Sequence, residues 1–209
     1  MAGPLAGVLA VAGGKGGSGK TTTAFGIAGA FVQRRRRPVV VDCDLDAPNL
    51  HVRAGVDRDP GVDASDPVAV AHESPVLPGV DVVPAGDADG DDLAAALGAL
   101  PEGRPVVLDC PAGASEAAVR PVRAADACVV VATRKRECVE DSVKTAAVAR
   151  AVGTPVRAVA VSRANRVPAG LDDAIDAPST AIPAVADPFS APEAAAAYAR
   201  VADWAEPNT

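Results

Sequence analysis

The sequence predicts an α/β fold: a mostly parallel sheet with helices on both faces. Three observations carry that prediction. Short apolar runs alternate along the chain with longer stretches of helical period, the pattern that builds parallel sheets covered on both sides. The runs at 38–41 and 105–108, and 128–133 up to its final Thr133, are continuously apolar rather than alternating, as in strands buried on both faces. Two of them end in aspartates, at the carboxyl ends of strands where such sheets take their ligands. At 209 residues the chain is long enough to bury a sizeable core and reads as one domain spanning 1–209.

The first apolar run, 8–11, enters Gly14-Lys15-Gly16-Gly17-Ser18-Gly19-Lys20-Thr21, which satisfies the phosphate-loop pattern of Gly, four residues, then Gly-Lys-Thr. Behind it Ala24, Ile27, Ala28 and Phe31 share one face of a helix over 20–33. Strand, glycine loop and helix in that order give the motif its structural context. Gly16, Gly17 and Gly19 let the backbone reach φ > 0 and approach phosphates closely. Their N–H groups and the positive end of the helix form an anion cradle. Lys20 is placed for the β- and γ-phosphates of a nucleotide, and the Thr21 hydroxyl for Mg²⁺.

The second run ends Val41-Asp42-Cys43-Asp44. Residues two apart on a strand share a face, so Asp42 and Asp44 both address the nucleotide. Repulsion between two such carboxylates is what a divalent cation relieves. Asp46 reads as a loop residue. The run at 105–108 delivers Asp109 at its carboxyl end, placed to hold Mg²⁺. Further strands are expected at 128–133 and 158–165, and helices at 91–100, 115–123, 139–152 and 192–205. The stretches 57–74 and 167–180 read as surface loops or short helices.

The segment from Gly13 to Thr22, with its second lysine Lys15, resembles the deviant Walker A motif of the MinD/ParA family of ATPases. Residues 105–113 are similar to that family's Walker B strand running into switch II, with Cys110 where a serine is frequent. The Asp42–Asp44 segment resembles the start of switch I, and Pro48-Asn49-Leu50 the segment after it. The matched segments span 8–187. The resemblance implies a single P-loop NTPase domain that binds ATP with Mg²⁺ through Gly14, Lys15, Gly16, Gly17, Ser18, Gly19, Lys20, Thr21 and Thr22. It implies a homodimer when ATP is bound, with Lys15 reaching across to the partner subunit's nucleotide. It further implies that Asp44 positions the attacking water, that Asp42 and Asp109 serve the Mg²⁺, and that Asn165 and Pro183 contact the adenine. Asn is also a common turn residue, so a turn remains a second reading of Asn165. The function implied is an ATP-hydrolysing switch that serves spatial organisation or a regulatory or cargo protein.

Composition bears on the alternatives. Asp and Glu total 27 against 20 Lys and Arg, for a net charge of −7; Asp (20) exceeds Glu (7) and Arg (16) exceeds Lys (4). That balance resembles a halophilic archaeal protein or one from a high-GC genome, and it disfavours nucleic acid. Arg34-Arg35-Arg36-Arg37 keeps a ParA-like DNA-partitioning role open; the other reading is a helix end favourably placed against the helix dipole. A carboxylate ligase of the dethiobiotin-synthetase or cobyrinate-synthase type shares the fold but generally lacks the Lys15 signature. A nucleotide-binding scaffold that does not hydrolyse is the third alternative, and the complete set of charged residues weighs against it. Cys43, Cys110, Cys128 and Cys138 show no Cys-x-x-Cys spacing, unlike the Mrp-type iron–sulfur carriers. Reduced thiols in a cytoplasmic protein are expected. The last stretch, 192–205, carries no basic amphipathic face, so no direct membrane helix is expected.

Overall fold

The computed structural model describes residues 7–206. Eight strands form one sheet: β1 (Val8–Gly13), β2 (Val39–Asp42), β3 (His72–Glu73), β4 (Asp81–Val83), β5 (Val106–Ala112), β6 (Ala127–Ala132), β7 (Val156–Val161) and β8 (Ser179–Ala181). Their order across the sheet is β3-β4-β2-β5-β1-β6-β7-β8. Every neighbouring pair is parallel except β3 against β4. β1 therefore lies in the middle, and the loop that follows it opens at the centre of the carboxyl edge.

Alternation along β1 assigns the two faces. Leu9 and Val11 join a core with α1 (Lys20–Gln33), α2 (Leu50–Ala54) and α7 (Pro192–Ala205). Ala10 and Ala12 face the other core, shared with α3 (Gly90–Gly98), α4 (Glu116–Arg123), α5 (Arg136–Ala151) and α6 (Leu171–Ile175). The helices start where the sequence allows. Asp89 caps α3 by accepting from the N–H groups of Asp91 and Asp92, Ser115 caps α4, and Pro192 opens α7. α1 and α7 pack closely because Gly26 has no side chain; a Cβ there would stand 2.5 Å from the Tyr198 ring. Phe25 meets Phe189 edge to face at 5.1 Å between ring centres.

The expected α/β class, and the helices at 20–33 and 192–205, agree with the structure to the residue. The stretches 57–74 and 167–180 are less irregular than their composition suggests, since they contribute β3, α6 and part of β8. These pieces are two to five residues long and show no complete period.

Three of the four arginines at 34–37 serve the fold. Arg34 reaches Asp203 Oδ1 at 2.5 Å, Glu206 Oε2 at 3.1 Å and the Ala199 carbonyl at 3.0 Å. Arg36 reaches Glu206 Oε1 at 2.5 Å, and Arg37 lies 3.3 Å from Asp81 Oδ1. These contacts tie the end of α1 to the end of α7 and to the edge of β4. Among the described residues, no helix is long and apolar enough to cross a membrane.

Candidate functional site

The loop from Gly14 to Gly19 joins β1 to α1. Gly19 has φ +98°, and a Cβ there would stand 2.5 Å from Ser162 Oγ, so both conformation and space demand glycine. Gly14 packs so tightly against α5 that a Cβ would overlap Asp141. α1 has no side-chain cap and no acidic residue in its first turn, which leaves its leading N–H groups for an external anion. The Ser18 hydroxyl is buried there without a hydrogen-bond partner among the described residues. Lys20 is only 7% exposed, and among the described residues its ammonium makes one long bond, 3.5 Å to the Lys15 carbonyl. A buried ammonium and an orphan hydroxyl under free N–H groups form a cradle for negatively charged oxygen.

Beside the cradle, β2 and β5 place Asp42 opposite Asp109. The two carboxylates are not equivalent. Asp42 Oδ1 accepts from Asp44 N at 3.1 Å, and Oδ2 accepts from Asn49 N at 3.2 Å and Leu50 N at 3.1 Å. Burial pushes the Asp42 carboxyl up to about 6 against the pull of those N–H groups, and the Asp44 charge adds to the rise. Asp109 Oδ1 has no partner among the described residues, although the side chain is only 2% exposed. Burial, then the Asp42 charge, push its carboxyl up to about 8, while the Thr21 hydroxyl and Lys20 pull the other way. An orphan carboxylate oxygen next to a hydroxyl is a hard-oxygen donor pair suited to Mg²⁺. No group of three or more His, Cys, Asp or Glu among the described residues could cage a metal, so phosphate and water would complete such a shell.

A cavity of about 700 Å³ opens over the loop, lined by Gly16, Gly17, Gly19, Lys20, Thr21 and Thr22 on one side. Asp44, Asn49 and Arg53 line a second side, and Arg163 and residues 186–189 a third. Asp44 is half-buried at that wall, and its Oδ1 accepts from Ala47 N at 3.2 Å. Lys15 points elsewhere. Its ammonium lies 2.8 Å from Glu137 Oε2 and 3.6 Å from Asp141 Oδ2, and the bond to Glu137 raises the lysine's proton affinity while lowering that of the glutamate.

The structure thus brings together the loop residues, Thr21, Asp42, Asp44 and Asp109. It does not bring Asn165 or Pro183 to the cavity wall; Asn165 is exposed. Arg163 takes the wall position, with φ +52° and its guanidinium on the Gly17 carbonyl. No property of an arginine foretells a positive φ, so this residue escapes a sequence reading. Phe189 was findable in principle, as one of only three phenylalanines in the chain. Cys43, Cys110 and Cys128 are buried in one core, where burial raises each thiol; Cys128 is pushed up to about 12.

Residues 9–177 match the family described as the CobQ/CobB/MinD/ParA nucleotide binding domain. An uncharacterized ATP-binding protein of Methanocaldococcus jannaschii is 29% identical over 172 aligned residues, covering 75% of this chain and 64% of that protein. The match therefore spans less than two thirds of that relative. The cell division ATPase MinD of Pyrococcus furiosus superposes with a TM-score of 0.79 at 23% identity, covering 94% of this chain and 96% of that one. MinD from Pyrococcus horikoshii, complexed with Mg-ADP, gives 0.77 at 21% identity over 94% of each chain. Cobyrinic acid a,c-diamide synthase from Mycobacterium smegmatis, with a bound ATP analog and magnesium, gives 0.71 at 22% identity, covering 95% and 93%. At these identities the superpositions show a shared fold.

Proposed function

Because the chain belongs to the CobQ/CobB/MinD/ParA nucleotide-binding family, we propose that it binds ATP and hydrolyses it as a molecular switch whose ATP form is a sandwich dimer. One observation carries the reading. Three buried groups that lack adequate partners, the Lys20 ammonium, the Ser18 hydroxyl and Asp109 Oδ1, converge on the phosphate loop. Each complements a different part of a metal-bound triphosphate. Lys20 and the leading N–H groups of α1 take the β- and γ-phosphate oxygens. Asp109 and Thr21 would hold Mg²⁺, which when bound neutralises charge on the β- and γ-phosphates. Asp42 stands behind Asp109 and fixes the loop from Cys43 to Asn49 through its bonds to backbone.

Asp44 orients the attacking water from the cavity wall, its carboxylate accepting a hydrogen bond from that water. Lys15 leaves Glu137 and meets the partner subunit's nucleotide, a cation opposite developing phosphate charge. Hydrolysis removes one charged group, relaxes the segments after Asp42 and Asp109, and releases the dimer or a bound regulatory or cargo protein. The base sits against Arg163 and residues 186–189, with Asn165 and Pro183 further out. The protein acts in the cytoplasm, its acidic surface suited to high salt, and the engagement of Arg34, Arg36 and Arg37 in ion pairs favours a switch over a DNA-partitioning role.

Light scattering in Mg²⁺ with ATP or ADP tests the reading. The expected result is a dimer in ATP that Asp44→Ala traps and a monomer in ADP. A chain that binds ATP yet stays monomeric at every concentration and salt would remove the sandwich model.

A further inference from the structure

Resting on the sandwich reading, we propose that the turn between β6 and α5, through Arg134 and Lys135, grips the triphosphate of the other copy and makes a cationic contact additional to Lys15. The partner is a second copy of this chain with ATP bound.

Several of the chain's cations fasten the fold. At the amino edge Arg34, Arg36, Arg37 and Arg104 are each paired with a carboxylate. At the carboxyl edge Arg134 and Lys135 are exposed, and their side chains make no hydrogen bond or ion pair among the described residues. Lys135 is felt only at a distance, by Glu137. Neither charge fastens one element of the fold to another. They stand at the start of α5, the positive end of a 16-residue helix, where cations oppose the macrodipole.

Their placement gives the reason to keep them. β6 is hydrogen-bonded to β1, and α5 abuts the phosphate loop through Gly14 against Asp141 and Lys15 against Glu137. The turn therefore rises beside the loop, on the rim of the face that carries the nucleotide. Neither residue lines the cavity of its own chain. A copy facing this rim presents a triphosphate at the corresponding place. Each copy carries a net charge of −7, so two copies repel unless opposite charges meet where they touch. Lys15 supplies little free charge before it leaves Glu137 and Asp141. Arg134 and Lys135 are free from the outset and can make first contact. ATP offers one more charged phosphate than ADP, so the same turn reads which nucleotide is bound.

The test uses Arg134→Ala/Lys135→Ala and Arg134→Glu/Lys135→Glu in the full chain. Binding of a fluorescent ATP analogue is measured at protein concentrations too low for dimers, and dimer mass is followed by light scattering in ATP and Mg²⁺. The alanine pair should bind the analogue as the unaltered chain does. It should need at least about tenfold more protein to reach half-dimer, as expected for loss of one charged hydrogen bond or more, and the glutamate pair more still. An unshifted midpoint in both variants overturns this inference and leaves the sandwich reading standing. Loss of analogue binding by the monomer assigns the turn to its own site and overturns the trans contact. If the unaltered chain never dimerises, the reading on which the inference rests fails, and the inference with it.

Discussion

Lys15 Nζ lies 2.8 Å from Glu137 Oε2, so the second lysine of the phosphate loop is held by the first turn of α5 in its own chain. The ATP-dependent role proposed for it requires that this bond break. The side chains are exposed enough for water to take over, and the exchange costs little. Glu137→Gln is therefore expected to leave the melting temperature unchanged while lowering the protein concentration at which ATP produces dimers. Calorimetry and light scattering on one preparation check both halves. A variant that dimerises less readily than the unaltered chain would mean that Glu137 orients the lysine for its task.

The pair Asp42 and Asp109 makes stability depend on pH. Both carboxyls are raised in the folded chain, to about 6 and about 8, so the folded state binds their protons more tightly than the unfolded state. Their contribution is complete below the ordinary carboxylate range and is lost as pH rises through about 6 and then about 8. Without Mg²⁺ the melting temperature should fall across that window, and added Mg²⁺ should stabilise more at pH 8 than at pH 5. Asp109→Asn should flatten the dependence and remove most of the response to Mg²⁺. Thermal melts in chelator and in Mg²⁺ from pH 5 to 9 decide it; an Asp109→Asn curve that still falls steeply would place the titration elsewhere.

Gly19→Ala tests the loop conformation. The substitution forces a Cβ onto φ +98° and to within 2.5 Å of Ser162 Oγ. The backbone alone costs about 1–2 kcal/mol, and the overlap adds to it. ATP-analogue binding should fall below detection with the fold retained. Adding Ser162→Gly relieves the overlap and not the dihedral, so binding should return only in part.

Arg34→Ala separates folding from function. The guanidinium holds Asp203, Glu206 and the Ala199 carbonyl near the end of α7. Its removal should cost about 1–2 kcal/mol, a drop of about 2–8 °C for a chain of this size. Nucleotide affinity should not change. Titration with fluorescent duplex DNA should show no difference between variant and unaltered chain, because the lost charge was already neutralised within the molecule.

Much of this was legible in the chain and the remainder was not, for identifiable reasons. β1, the phosphate loop and α1 are contiguous, so periodicity and glycine spacing were enough. Asp42 and Asp109 each end an apolar run, which marked them without any knowledge of their partners. Their inequivalence was hidden, since it depends on the N–H groups of Asn49 and Leu50 folding back onto one of them. The strand order, which sets β5 between β2 and β1, joins segments far apart in the chain and leaves no local signal. The place of Arg134 and Lys135 beside the phosphate loop follows only from β6 pairing with β1. Arg34, Arg36 and Arg37 stood out in the sequence and proved to be fastenings.

The three N–H groups on Asp42 have one more consequence. Asp44, Asn49 and Leu50 are all bonded to the same carboxylate, which closes residues 42–50 into a ring with one side chain as its clasp. A ring has a fixed circumference. One residue added or removed between Cys43 and Pro48 could not be taken up by slack, as it could in the open stretch before β3, because the clasp would no longer meet. The number of residues in this segment is therefore as much a part of the site as their identity.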